Sequence, residues 1–177
     1  MTRNRSWSLL IIVLFLGAMA FSGSDAAASG AEVQRPLKVS LEFVGVDPDP
    51  GFDVCVGPNQ EPSGSVGTGN LSHLGRVQIS GNQCDNFVDL EVTDGFGIYV
   101  AANGDYIEVE YSGSAVFNPV GPVLDGWGSA EIVGGTGRFE AASGEFDFTF
   151  TTFLSDFSTL LDGEGWITYD ASNRASK

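Results

Sequence analysis

The sequence predicts an all-β domain of about eight antiparallel strands, and three features of the chain support this prediction. Apolar and polar residues alternate with a period of two from Leu37 onward, as in strands with one buried face. Glycine makes up 24 of the 177 residues, and turn sequences separate the apolar runs. After residue 28 no segment has a convincing helical period, and only residues 153–161 are ambiguous. Such strands can bury a common face by closing into a barrel or by stacking into a β-sandwich.

Four segments show the alternation clearly, and in each the acidic residues lie opposite the apolar ones. In the fourth, three aromatic side chains, Phe146, Phe148 and Phe150, share the face that is predicted to point inward. One sheet face is therefore expected on the core and the other in water, so the acidic residues form a solvated exterior. The four segments are residues 38–46, 86–94, 106–113 and 144–153.

Turn sequences fall between these segments. Asn103-Gly104 predicts a hairpin, because both residue types accept a positive φ. The glycine-rich residues 134–137 predict a second reversal before the phenylalanine-rich segment. Asp162-Gly163 is predicted to form a turn before the last strand, residues 165–169. This spacing is typical of an antiparallel meander.

Composition excludes several classes of function. Lys and Arg total 8 and Asp and Glu total 23, which gives a net charge of −15. Nucleic acids and anionic membranes are bound by cationic surfaces, so neither is expected as a partner. Hydrophobic residues are 42% and charged residues 18%, so the chain is too apolar to be disordered.

Residues 1–28 have the features of a secretory signal peptide. Arg3 and Arg5 precede an apolar run of 12 residues, Leu9 to Ala20, which is too short to span a bilayer. Cleavage is expected after Ala28, and it would leave 6 basic and 22 acidic residues, a charge of −16 over 149 residues. We therefore expect an exported protein, periplasmic or extracellular, with a flexible segment at residues 29–36, a β-domain at 37–170 and a tail at 171–177.

Cys55 and Cys84 are the only cysteines in the chain. An oxidising compartment favours their pairing, and the sequence therefore predicts a structural disulfide. On the chain-entropy model, a disulfide that closes a loop of this size stabilises the folded protein by about 3–4 kcal/mol, because it constrains the unfolded chain. A redox or metal-binding pair would need closer spacing or further ligands.

Four short motifs occur in this order: Ser72-His73-Leu74-Gly75-Arg76, Ala101-Ala102-Asn103-Gly104-Asp105, Tyr111-Ser112-Gly113 and GGTGRFEAASG at residues 134–144. Together they resemble motifs of small secreted bacterial proteins related to the allene oxide cyclase and dirigent barrels. The resemblance covers roughly residues 67–150 and implies an eight-stranded antiparallel barrel. The group includes plant cyclases, proteins that steer radical coupling and bacterial cyclases of polyketide pathways, so it implies a cofactor-free cyclase or isomerase as one candidate activity. None of its catalytic residues is matched to a position here.

The sequence GGTGRF at residues 134–139 is predicted to be a structural corner rather than a phosphate cradle. Consecutive glycines allow a sharp reversal, beneath which Phe139 can pack, while Arg138 braces a carboxylate or neighbouring carbonyls. No helical segment follows, so nucleotide binding is not indicated.

His73, the only histidine, is the first candidate for chemistry. If its strand covers residues 71–79, His73 projects into the domain near a barrel mouth, and Gly75 leaves room for a ligand. In the favoured alternative, the backbone at the barrel end satisfies the imidazole. His73 and Tyr111 are the candidates to position or protonate a substrate. The predicted ligand-binding residues are His73, Tyr111, Phe146, Phe148 and Phe150.

Asp47, Asp49 and Asp53 are candidate Ca²⁺ ligands, because closely spaced carboxylates suit this cation. The remaining ligand pattern of an EF-hand is missing, and a solvated turn is the favoured interpretation. Zinc chemistry would need more His or Cys than the chain offers. No metal site and no cofactor are therefore predicted.

Three functional hypotheses follow. The first is a secreted barrel that binds a small apolar or aromatic molecule in its lumen, and the second is a cofactor-free cyclase or isomerase. The third is a non-catalytic structural or surface protein with a filled barrel. Large inward phenylalanines fit a lined pocket as well as a filled core, so the sequence leaves the three hypotheses, and the oligomeric state, open.

Overall fold

Eight strands close into an antiparallel barrel in the computed structural model, which describes residues 33–171. Each strand pairs with the next, and β8 pairs with β1, so the predicted all-β class and barrel are confirmed and a sandwich is excluded. The predicted signal peptide and residues 172–177 of the predicted tail lie outside the described residues. The strands are β1 (Arg35–Val46), β2 (Gln60–Leu71), β3 (Gly75–Asn86), β4 (Glu91–Ala101), β5 (Tyr106–Phe117), β6 (Val123–Gly135), β7 (Ser143–Phe153) and β8 (Ser158–Thr168).

Where polar and apolar residues alternate along a strand, the apolar face points into the barrel. In β1, which begins inside the segment predicted to be flexible, Leu37, Val39 and Leu41 are buried while Ser40 and Glu42 are exposed. The same period continues in β5 and β7, as predicted, and the inward residues form one core inside the barrel. Within residues 33–171, no helix is long and apolar enough to cross a membrane.

Most of the acidic residues predicted to face solvent are exposed, and three of them form a row on the outer surface. Glu110, Glu131 and Glu145 are exposed and stand directly opposite one another on β5, β6 and β7. Trp166 of β8 continues the row, and its indole N–H donates a hydrogen bond to Glu145 Oε1 at 3.0 Å. Like charges in direct register repel each other, so this row opposes the pairing of its own strands.

Residues 86–94, predicted to be one strand, contain a turn instead. β3 ends at Asn86, whose side-chain carbonyl accepts hydrogen bonds from the Val88 and Asp89 backbone N–H groups. Leu90 then takes a φ of 55°, after which β4 begins at Glu91. A local Asx turn thus overrides an alternation of apolar residues that continues across it.

The turn predicted at Asp162-Gly163 is also wrong. Both residues lie inside β8, and the chain reverses earlier, at residues 154–157, within the segment that was ambiguous in the sequence. Gly163 is needed within the strand because a Cβ there would lie within 3.0 Å of Phe146 Cδ2 and 2.9 Å of the Asp147 carbonyl oxygen.

The two ends of the barrel differ, and we call them the closed end and the open end. The closed end carries the turns after β2, β4 and β6. The open end carries the β1–β2 loop, residues 47–59, and the turns after β3, β5 and β7.

Side chains from three segments plug the closed end. Phe139, in a 3-10 turn, is fully buried with its ring centroid 5.0 Å from that of Tyr169. Arg138 lies 5.5 Å from the Tyr169 ring and donates a hydrogen bond to the His73 carbonyl oxygen. The prediction that the GGTGRF sequence forms a structural corner, with Phe139 packed beneath it, is confirmed.

The predicted disulfide between Cys55 and Cys84 is present, with a Cα–Cα distance of 5.5 Å. It ties the β1–β2 loop to β3 near the open end, and Cys84 is completely buried beneath that loop. Asp49 and Asn82 join the same two elements: the Asp49 backbone N–H donates to Asn82 Oδ1 at 2.8 Å, and Asn82 Nδ2 donates to Asp49 Oδ2 at 2.9 Å. The longest loop of the described chain is therefore held to β3 at two points, Asp49 and Cys55.

Two phenylalanines of β7 lie across glycines of β6. Phe148 stands opposite Gly128 and Phe150 opposite Gly126, and a Cβ on either glycine would overlap the facing ring. Glycine thus provides the space into which each inward ring folds.

We predict that Gly128→Ala lowers the free energy of unfolding by about 1–3 kcal/mol, because the added methyl overlaps the Ser112 carbonyl oxygen and the Phe148 ring. Denaturant unfolding of the purified barrel measures this loss. Gly121→Ala is the matched control, since nothing lies within 4 Å of a Cβ at Gly121 and the change should stay within about 0.5 kcal/mol. Equal effects of the two substitutions would contradict the packing explanation.

Candidate functional site

A cavity of about 380 Å³ opens into the barrel from the open end. Its walls are mainly apolar, and its mouth is bordered by the exposed rings of Phe87, Phe117 and Phe157, each from a different strand end or turn. Two wider grooves, along β4–β8 and around β1, are more open to solvent. Among these three spaces, the cavity at the open end is the most enclosed, and it is large enough for a small organic ligand.

The polar side chains around Asp85 lie on one side of the cavity. The facing side is mainly apolar, apart from Thr152 and Thr159, whose hydroxyls are hydrogen bonded to each other. β2, β3 and β5 form a polar wall that contains Ser63, Ser65, Gln83, Asp85 and Tyr111. The facing wall comes from β6, β7, β8 and the β7–β8 turn. Its residues are Leu124, Phe148, Phe150, Thr152, Leu154, Phe157 and Thr159.

The polar wall forms one hydrogen-bonded chain that ends on a carboxyl group. Tyr111 Oη donates to Gln83 Oε1 at 3.0 Å, and Gln83 Nε2 donates to Asp85 Oδ1 at 2.7 Å. Ser63 Oγ donates to the other oxygen, Asp85 Oδ2, at 2.6 Å. Ser63 and Gln83 donate directly to Asp85, whereas Tyr111 donates to Gln83, so the hydrogen-bonded chain runs from Tyr111 through Gln83 to the Asp85 carboxyl group.

Burial raises the pKa of Asp85 above its ordinary value of 3.8, although the hydrogen bonds from Ser63 and Gln83 act in the opposite direction. Burial likewise raises the pKa of Tyr111 well above that of a free phenol; a hydrogen bond from Ser65 lowers it and the charge of Asp85 raises it further. Tyr111 therefore remains a hydrogen-bond donor, while Asp85 is the group whose protonation can change.

The lumen below Tyr111 is almost filled. A pocket of about 40 Å³ remains there, bordered by Tyr99, Tyr111 and Phe146, which is room for one or two water molecules. Phe146 and Phe148 pack with their ring centroids 6.2 Å apart, and both are buried. A ligand entering from the open end would thus stop at the level of Tyr111.

Three of the predicted ligand-binding residues, Tyr111, Phe148 and Phe150, line the cavity together. Phe146 lies deeper, beside the small inner pocket. His73 lies at the opposite end of the barrel and does not border the cavity.

The strand predicted over residues 71–79 is interrupted at His73. β2 ends at Leu71, β3 begins at Gly75, and His73 occupies the turn with a φ of 72°. Its Nε2 lies 2.9 Å from the Pro36 carbonyl oxygen. The position beside a ligand, expected if the strand were continuous, is therefore wrong, and the backbone contact agrees with the alternative interpretation of a histidine satisfied at the barrel end.

Asp47, Asp49 and Asp53 lie on the β1–β2 loop, where Asp49 is bonded to Asn82. In the part of the chain that the structure describes, no group of three or more His, Cys, Asp or Glu side chains is arranged to hold a metal ion.

Sequence reasoning missed Ser63, Gln83 and Asp85. These residues lie in polar stretches without the alternation that marked the other strands. The disulfide offered a signal, because Cys84 points outward to Cys55 and its neighbours Gln83 and Asp85 must then face the opposite side of β3.

In the described residues, fold and site together define a closed eight-stranded antiparallel barrel with a largely apolar cavity at its open end. No family model matches the chain, and no curated protein matches it. Among solved structures, the chain is similar to the pterocarpan synthase dirigent protein GePTS1, at 14% sequence identity and a TM-score of 0.47. The match covers 82% of this chain and 90% of that protein.

Asp85→Asn is predicted to gain thermal stability relative to the parent protein as the pH rises above about 3.8. Since burial raises the pKa of Asp85, the folded state holds this proton more tightly than the unfolded state. Ionisation therefore costs stability in the parent but not in the variant. Thermal unfolding from about pH 3 to about pH 8 should show a Tm difference, variant minus parent, that grows with pH and then levels off.

Asp156→Asn is the matched control, because its pH trend has the opposite sign. The backbone N–H and the hydroxyl of Ser158 donate to Asp156 Oδ1 and lower the pKa of Asp156 below 3.8. The parent gains stability as this group ionises and the variant does not, so its Tm difference should become more negative with rising pH. The same sign for both variants would contradict the burial of Asp85.

Proposed function

We propose that this chain is an exported barrel protein that binds a small apolar or aromatic molecule carrying one polar group in the cavity at its open end. The observation that carries this proposal is the division of the cavity into an apolar wall and a polar wall centred on Asp85. A volume of about 380 Å³ lies within the range of small-molecule sites. The polar wall would fix the orientation of the ligand, and the phenylalanines would contribute most of the buried area.

Two features support the exported location. Residues 1–28 have the charge and hydropathy pattern of a cleaved signal. The Cys55–Cys84 disulfide is of the kind that persists in oxidising compartments. Native mass spectrometry of the secreted protein would test location and binding together, because its mass reports the start of the chain at Ser29 and any bound molecule lost on unfolding.

We predict that the protein binds the neutral fluorescent probe N-phenyl-1-naphthylamine and that Ala115→Trp abolishes this binding. Ala115 lines the cavity on β5, so an indole at this position would occupy the space of the ligand. Fluorescence titration measures the affinity.

Val116→Trp is the control for this experiment. Val116 is the next residue along β5 but is half exposed and absent from the cavity lining, so its substitution should leave the affinity unchanged. Probe binding that survives Ala115→Trp, or no binding by the parent protein, would contradict the proposed site.

A cofactor-free cyclase or isomerase is the second candidate, and it is favoured by one observation: a carboxyl group with a raised pKa faces an apolar cavity beside Tyr111. A carboxylic acid in such a site can donate a proton to a bound substrate. With candidate polyenes or phenols as substrates, Asp85→Asn should then lower turnover by about 100-fold or more, and His73→Ala should not change it. Equal turnover of the Asp85 variant and the parent would exclude this acid role.

A filled barrel with a purely structural role would explain the filled half of the lumen at the closed end. It would not explain the cavity at the open end. That hypothesis predicts no probe binding at all, and the titration above therefore separates it from the other two.

A further inference from the structure

The cavity contains acidic groups but is lined by no basic one. Asp85 and Glu91 border it, Asp85 from within and Glu91 at the exposed rim. The Lys and Arg side chains of residues 33–171 lie elsewhere. Arg35 and Arg138 are at the closed end, Lys38 is paired on the outer face with Glu164 at 3.4 Å, and Arg76 is exposed on β3. A cationic group from the protein is therefore absent from the described surroundings of Asp85.

The hydrogen bonds made by Asp85 leave it able to accept more. A carboxylate has about four lone-pair sites, and Ser63 and Gln83 each occupy one. Both donors are neutral, so they orient the carboxyl group without compensating its charge. Because Asp85 also lines the cavity, a charged donor on a ligand could supply that compensation.

The remaining walls suit a positive charge as well as an apolar body. Aromatic rings attract cations through their faces, and the attraction is strongest where water is excluded. An anionic ligand would instead face two carboxyl groups and no positive partner. The aromatic residues that line the cavity are Phe43, Phe87, Tyr111, Phe117, Phe148, Phe150 and Phe157.

We propose that the ligand of this cavity is a lipophilic amine, bound as its ammonium ion against Asp85 with its apolar body among the phenylalanine rings. This inference rests on the proposed function and names the chemical class of the bound molecule. The ammonium N–H would donate to Asp85 from the cavity, opposite the bonds from Ser63 and Gln83. Binding involves no covalent step.

Three cage compounds of nearly equal shape test the proposal: 1-aminoadamantane, 1-adamantanol and 1-adamantanecarboxylate. They differ in charge at one position, so displacement of N-phenyl-1-naphthylamine from the full exported protein compares charge at constant apolar area. We expect the amine to bind at least about tenfold more tightly than the alcohol, and the carboxylate to bind most weakly. An alcohol that binds as tightly as the amine would overturn the inference while leaving the proposed function intact.

Two substitutions test whether Asp85 is the group that binds the ammonium ion. Asp85→Asn should lower the affinity for the amine at least about tenfold and leave the affinity for the alcohol within about threefold. Asp147→Asn is the control, because Asp147 is exposed on the outer face of β7 and its removal changes only the general attraction of a chain with a net charge of −15. Equal losses in the two variants would overturn the role of Asp85.

Two further outcomes distinguish a failure of this inference from a failure of the proposed function. Failure of the parent protein to bind the neutral probe would overturn the proposed function itself, and with it this inference. If Asp85→Asn does not fold, which thermal unfolding would reveal, the ranking of the three cage compounds on the parent protein decides the question alone.

Discussion

Pairing of β8 with β1 is the constraint on which the rest of the structure depends. A sheet of eight strands with one apolar face would otherwise expose two edges and leave that face in water. Closure removes both edges and turns every inward side chain towards the same axis. The period-two pattern by itself indicates only that one face of a strand is apolar. Closure of the barrel places these faces around one lumen, which their side chains then fill or line.

The size of the inward side chains then decides where the lumen is filled. Towards the closed end, large residues such as Phe139 and Ile107 are fully buried and belong to one core cluster. Towards the open end, β2 and β5 contribute smaller inward residues, among them Ser63 and Ala115, and the space they leave is the cavity. Tyr111 stands at the boundary, since it borders both the cavity and the inner pocket. The site is therefore a consequence of residue volume along a few strands.

Much of the fold could be predicted from the sequence, because alternation and turn residues are local signals. They located β1, β5 and β7 and the Asn103-Gly104 hairpin, where Gly104 has a φ of 89°. Local signals failed at Asn86, whose side chain makes a turn within an alternating run. The site was recovered only in part, since Tyr111 belongs to an alternating strand, whereas Asp85 does not. Its position depends on the pairing of β3 with β2, which brings Ser63 beside it, and on the closure of the barrel, which no single stretch of sequence contains.

The row of Glu110, Glu131 and Glu145 makes the stability of the barrel depend on the ionic strength of the solution. The three carboxylates are exposed and in direct cross-strand register, so dissolved cations can screen their repulsion. At low ionic strength the screening length grows to tens of ångströms, and the whole acidic surface then opposes the closed state. At high ionic strength the repulsion between these carboxylates is screened and becomes weaker. The free energy of unfolding of the barrel is accordingly expected to rise with salt concentration.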